Sequence, residues 1–211
     1  MGPGKRPAPP PRHRPLPGGA PGGDSWEHVA AWYDALAEER GTEFHQRVII
    51  PGLLRLLALK PGERALDMAC GQGAVSRALR RAGASVTGVD LSAKLIELAK
   101  QRSSRDIRYL VGDARKLDGL EDARFDAVVC VLAAQNIDPI EPLFAEGARL
   151  LRPGGRLALV VNHPAFRIPR QSGWRWDERR KLVFREVDAY LTPLRIPIDM
   201  RPFRGKGRSV T

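Results

Sequence analysis

Cysteine is scarce in this chain, with only Cys70 and Cys130 among 211 residues. Two thiols do not make a disulfide framework, so a reducing cytoplasm is the expected setting. Long apolar runs are missing as well. Arg, Lys, Asp or Pro interrupts each apolar stretch before the ~20 residues that cross a bilayer, and no membrane partner is expected. The basic N-terminus runs into Pro and Gly rather than an apolar segment, so no secretory leader is expected either. His, Cys and Asp do not cluster at metal-ligand spacing, and no metal is predicted. Internal repeats at a solenoid period are also absent.

What is abundant is positive charge, at a net +11, but its placement matters more than its size. Residues 1–24 hold four Lys/Arg against one acid, and residues 162–211 hold twelve against five. The 137 residues between hold nineteen against eighteen, so the expected domain core is nearly neutral. Basic ends attract polyanions without recognising them. No nucleic-acid-binding module accompanies the charge, so nucleic acid is only a weakly supported partner.

Residues 1–23 contain eight Pro and six Gly with almost nothing apolar, a composition that predicts a disordered tail. A helix start is readable at Asp24, with Glu27 three residues on and Trp26, Val29, Tyr33 and Leu36 at helical spacing. A second helical stretch covers about 43–58, with a kink or break expected at Pro51. From residue 62 the pattern becomes short apolar strands (64–69, 85–89, 107–111, 125–131, 156–161) alternating with amphipathic helices (73–82, 92–103, 139–151). Alternation of this kind predicts an α/β fold: a doubly wound, Rossmann-like, mostly parallel sheet with right-handed crossovers. The expected organisation is a tail over 1–23, a ligand-binding domain with N-terminal cap helices over 24–161, and a basic substrate-side extension over 162–211.

Within that fold, Ala65–Gly73 (ALDMACGQG) reads as a strand ending in an acid, followed by a glycine loop that opens a helix. Gly71 and Gly73 permit a tight turn and close approach of a ligand. A Gly-x-Gly pair alone says little. Three acids say more: Asp67, Asp90 and Asp113 end successive strands, each one β–α unit apart. A doubly wound sheet binds its ligand outside the carboxyl ends of its strands, so all three should rim one crevice. A nicotinamide dinucleotide is the main competing ligand, since Gly71-x-Gly73-x-x-Ser76 narrowly misses its fingerprint. Asp67 argues against it, because a carboxylate there opposes a pyrophosphate at the helix N-terminus. A phosphate-free ligand carrying an amino group and a sulfonium is compatible with the same acid.

These residues resemble the class I S-adenosylmethionine-dependent methyltransferases, over about 25–165 and most closely over 64–162. ALDMACGQG is similar to the family's glycine-rich first motif, with Ala69 in place of the first glycine, a departure expected to leave enough room. VTGVDLS, VGDA, FDAVVCV and LRPGG follow in the family's order. The resemblance implies that Gly71 and Gly73 admit the methionine part of S-adenosyl-L-methionine, with Asp67 near its amino group. It implies that Asp90 takes the ribose hydroxyls, Leu91 lies against the adenine, Asp113 takes the adenine amino group and the Ala114 main chain reads the ring edge. Leu132 to Gln135 match the usual position of methionine and substrate contacts, and Trp32, Tyr33 and His45 match that of a cap.

Asn162–Trp174 follows the fifth strand, so Asn162, Arg167 and Arg170 are candidate substrate contacts. His163 is the candidate general base, with His45 the other available imidazole. Asn162-His163-Pro164 does not reproduce the signature of DNA amino-methyltransferases, which follows the fourth strand. The expected activity is therefore methyl transfer to an oxygen or nitrogen of a small-molecule acceptor. The alternatives are RNA or protein methylation and a non-catalytic cofactor-binding module. The domain end is expected to be incomplete, because the family's final antiparallel strands are not evident; Leu182–Arg185 and Leu194–Ile198 are candidate short strands. The fifth strand would then form a sheet edge through which a homodimer could pair.

Overall fold

The computed structural model describes residues 41–166, 172–187 and 190. The tail, the helix start at Asp24, Trp32, Tyr33, Arg167, Arg170 and the strand candidate at 194–198 lie outside the described residues. Five parallel strands form one sheet in the order β3-β2-β1-β4-β5. They are β1 (Arg64–Met68), β2 (Ser85–Asp90), β3 (Arg108–Val111), β4 (Phe125–Val131) and β5 (Leu151–Val160). The helices are α1 (Ile50–Leu57), α2 (Ala74–Arg81), α3 (Ala93–Arg102) and α4 (Glu141–Leu150). The order reverses at β1, so the crevice between the carboxyl ends of β1 and β4 is the place where a ligand binds in such a sheet.

Apolar side chains fill both faces. On one, Leu53 and Leu57 of α1, Val75 and Leu79 of α2 and Ile96 and Ala99 of α3 pack on Ala65, Val86, Ala127 and Val129. On the other, Leu143 and Leu150 of α4 pack with Leu66, Met68, Val89, Val128 and Cys130. Each fully buried Leu, Val or Met contributes about 1.5–3 kcal/mol, which explains why β1 and β4 read as nearly unbroken apolar runs.

Two local expectations change. Pro51 does not break the helical stretch. The chain widens into a π-helical turn over His45–Ile49, where the Ile50 N–H donates to the His45 carbonyl, and Pro51 sits in the first turn of α1. There its missing N–H costs little. β5 begins at Leu151 rather than 156, because the LRPGG turn is folded into the strand as a bulge. Phe125 pairs with Leu151 and Ala127 with Arg156. Gly154 takes a φ of +74°, and a Cβ on Gly155 would lie 2.8 Å from Leu151 and 2.9 Å from the Arg152 carbonyl.

After β5 the chain forms an antiparallel hairpin, β6 (Ser172–Asp177) with β7 (Leu182–Val187), which is a separate two-stranded sheet. The strand expected at Leu182–Arg185 is therefore present and two residues longer. Among the described residues β5 pairs only with β4, which makes it the sheet's edge.

Candidate functional site

The loop leaving β1 holds three left-handed residues within five: Ala69 (φ +57°), Gly71 (+55°) and Gly73 (+85°). Such a turn lets main-chain N–H groups face inward. The Gly71 N–H donates to Asp90 Oδ2 at 2.8 Å, and the Ser92 N–H donates to Asp90 Oδ1 at 2.9 Å. The acid at the end of β2 thus braces the loop after β1. Ala69 meets the turn's demand with a side chain in the left-handed region, a conformation that costs an L-residue about 1–2 kcal/mol.

Gly73 is required by packing beneath the loop. A Cβ there would collide with the Tyr109 hydroxyl and lie 3.0 Å from Arg77 Nη1. Gly88 has the same neighbour, since its Cβ would stand 2.7 Å from the Tyr109 ring. Arg77 is buried, donating from Nη1 to the Gln72 carbonyl and from Nη2 to Gln72 Oε1, both at 2.7 Å. None of Tyr109, Arg77 and Gly88 stood out in the sequence. Each is typical of its element, and only the tertiary contact reveals its part in shaping the loop.

Asp67 is 1% exposed and accepts a hydrogen bond from Ser76 Oγ at 2.6 Å. Burial pushes its carboxyl up to about 7; the Ser76 bond opposes that rise, and the nearby Asp90 charge adds to it. A carboxyl so placed ionises readily when a cation arrives. Burial likewise raises the Cys70 thiol well above its ordinary value and the Cys130 thiol to about 12, so neither is a nucleophile at neutral pH.

A pocket opens between this loop and the preceding helix, lined by His45, Asp67, Ala69, Cys70, Gly71, Gln72, Ala74, Val75 and Val131. His45 enters it on a prepared seat. Thr42 Oγ1 lies 2.8 Å from its Nδ1, and a Cβ on Gly41 (φ +79°) would lie 2.8 Å from the His45 Cβ and 3.0 Å from the ring's Cγ. Burial holds the imidazole below its ordinary range.

The remaining candidates are distributed around this crevice. Leu91 is 45% exposed beside Asp90, and Ala114 is buried. Asp113 is held well below the usual carboxylate range by the Arg115 guanidinium. Leu132 takes a φ of +52°, and Gln135 Nε2 donates to its carbonyl at 2.6 Å. Asn136 Oδ1 is buried without a hydrogen-bond partner among the described residues. Asn162 and His163 are exposed past the end of β5. His163 Nδ1 accepts the Ala165 N–H at 3.2 Å, and its ring stacks with Tyr190 at 6.3 Å. His163 does not line the pocket that holds Asp67.

Residues 66–159 match the family described as the methyltransferase domain. The demethylmenaquinone methyltransferase of Beutenbergia cavernae is 32% identical over 182 residues, which cover 82% of this chain and 70% of that protein. Its counterpart from Tropheryma whipplei is 35% identical over 115 residues, covering 52% of this chain and 46% of that protein. For several of the curated relatives it matches, the chain spans only about half of their length. Among solved structures, an S-adenosylmethionine-dependent methyltransferase from Mesorhizobium loti superposes with a TM-score of 0.60 at 31% identity, covering 67% of this chain and 65% of that one.

Proposed function

The chain belongs to the class I S-adenosylmethionine-dependent methyltransferases, and from that membership we propose that it transfers the donor's methyl group to a small-molecule acceptor through an oxygen or nitrogen. The observation that carries the reading is the buried Asp67, its carboxyl raised to about 7 by burial, beside a loop braced by Asp90 at the sheet's switch point. The donor supplies an activated methyl on a sulfonium, so the protein's work is to bind, align and exclude water.

The residues present fit that donor. Asp90, at the end of β2 and bonded to the main chain of the glycine loop, is the proposed acceptor for the donor's hydroxyl groups. Asp67 suits a cationic amine, Gly71 and Gly73 shape the loop beside it, and exposed Leu91 offers an apolar surface to a flat ring. Asp113 and Ala114 are the proposed readers of the adenine edge, and Leu132 is the proposed neighbour of the donor's methionine part.

On the acceptor side, Gln135, Asn162, Arg167 and Arg170 are the proposed contacts. Two imidazoles are available to take a proton. His45 lines the pocket and is held neutral by burial, whereas His163 is exposed and bonded to its own loop. Proton removal from the acceptor is therefore assigned to His45, and His163 to orienting the loop after β5. The quinone acceptors in the names of similar proteins favour a hydroxylated ring as the acceptor's chemical class.

Calorimetry with S-adenosylhomocysteine tests the cofactor site. The chain should bind it and ignore NAD, and Asp90→Asn should weaken binding by about ten- to a hundredfold, as expected for a lost bond to a charged group. A folded Asp90→Asn protein with unchanged affinity would remove Asp90 from the site.

A further inference from the structure

The acids at the ends of β2 and β3 are held differently. Asp90 is fixed by main-chain N–H groups, but Asp113 is gripped by one side chain, that of Arg115. Asp113 Oδ1 accepts the Arg115 main-chain N–H at 2.9 Å and its Nε at 3.0 Å, and Oδ2 accepts Nε at 3.0 Å and Nη2 at 2.6 Å. This grip fills most of the carboxylate's acceptor positions and fixes the direction of any that remain. Arg115 Nη1 also donates to the Asp138 carbonyl at 2.9 Å, in the connection between β4 and α4. One guanidinium thereby ties the turn after β3 to the segment after β4, although β2 and β1 separate those strands in the sheet.

Both partners of the pair are about one-third exposed, at 36% for Arg115 and 35% for Asp113. An ion pair this open to water adds little to stability, so folding alone does not account for a three-way clamp. The clamp stands at the carboxyl end of β3, where the S-adenosylmethionine reading puts a purine edge against the Asp113 carboxylate. An oriented carboxylate accepts from an exocyclic amino group and repels a ring carbonyl at the same place. We propose that Arg115 is a specificity-determining positioning residue, which aims Asp113 so that the site selects an adenine nucleoside over its hypoxanthine counterpart. The inference rests on the S-adenosylmethionine reading of the crevice.

Binding of S-adenosylhomocysteine and S-inosylhomocysteine, measured by calorimetry on the full chain, separates the two ideas. The unaltered protein should prefer the adenosyl compound by about tenfold or more. Arg115→Ala should cut that preference at least threefold while the melting temperature stays within about 2 °C. Arg115→Lys keeps the charge but not the fork, and should fall between the two. In an Asp113→Ala background, Arg115→Ala should change the preference no further, because the arginine acts through the acid. An undiminished preference in Arg115→Ala overturns the proposal, as does an equal loss with and without Asp113. Failure of the unaltered chain to bind either nucleoside overturns the cofactor reading itself, and is distinct from a failure of selectivity.

Discussion

Asp67 is where one residue's chemistry can be followed most directly into a measurement. Its carboxyl, raised to about 7 by burial, binds a proton in the folded protein over a range in which the unfolded chain has lost it. The stability associated with that proton is fully present below about pH 4 and is lost as pH rises through about 7. Ser76, Asp90, Cys70, Cys130, Tyr109 and Arg77 surround it, and Arg77 is the cation among them. Asp67→Asn keeps a neutral polar side chain beside Ser76. Its melting temperature relative to the unaltered protein should therefore improve between pH 5 and pH 8, by the equivalent of about 1–3 kcal/mol. A ligand ammonium group beside Asp67 reverses the preference, so binding of S-adenosylhomocysteine near pH 7 should release protons. Calorimetry in two buffers of different ionisation enthalpy measures that release. A pH-independent difference in melting, with no proton release, would mean that Asp67 is ionised throughout.

Among the elements, the π-helical turn at His45–Ile49 bears most on catalysis, since such turns recur at functional sites. Gly41 and Thr42 precede it and seat the imidazole. In the tautomer whose Nδ1–H donates to Thr42 Oγ1, Nε2 keeps its lone pair and is the proton acceptor this proposal requires. With an acceptor of the hydroxylated-ring class proposed above, His45→Gln should lower turnover by about a hundredfold or more, as general-base loss does. Its affinity for S-adenosylhomocysteine should change less than about threefold, and His163→Gln should retain most turnover. The unaltered protein's rate should rise with pH about a midpoint below 6.5, where the buried imidazole loses its proton, and His45→Gln should lack that limb. Loss of turnover in His163→Gln alone would move the base to the end of β5.

The elements also show why parts of the site were legible in the sequence and parts were not. Each β–α unit from β1 to β4 announces itself, because strands covered on both faces must be apolar and their intervening helices amphipathic. Asp67 and Asp90 were legible for the same reason: an acid ending an apolar strand has few structural uses. The grip of Arg115 on Asp113 was not, because an Arg two residues from an Asp on a polar turn resembles any solvated pair. Tyr109 beneath Gly73 was hidden differently, as a strand aromatic whose neighbour lies 36 positions away. LRPGG was ambiguous because the same residues serve as a turn and as the bulged start of β5.

At the scale of the whole molecule, the sheet is not equally covered on its two sides. Ala158 and Val160 of β5 pack against the core beneath α1–α3, but on the opposite face Leu157 is 43% exposed and Leu159 39%, followed by Val161 at 46%. The β5 edge presents unpaired main-chain groups next to that stripe, since β4 is its only partner among the described residues. Bare edges of this composition template pairing with another chain, and natural sheets blunt them with charge. Among the described residues, the two charged side chains of β5 are already engaged: Arg152 pairs with Asp126, and Arg156 Nη1 donates to the Leu57 carbonyl at 2.6 Å while its guanidinium pairs with Glu63. We therefore expect the purified chain to self-associate as its concentration rises, with a second copy pairing along β5. Light scattering over a dilution series should show mass increasing with concentration. Leu159→Lys places a charge in the stripe and should hold the chain monomeric, with a melting temperature within a few degrees of the unaltered protein, because the side chain it replaces is already partly in water. A chain that stays monomeric at every concentration without this substitution would show that the β5 edge is covered within a single copy.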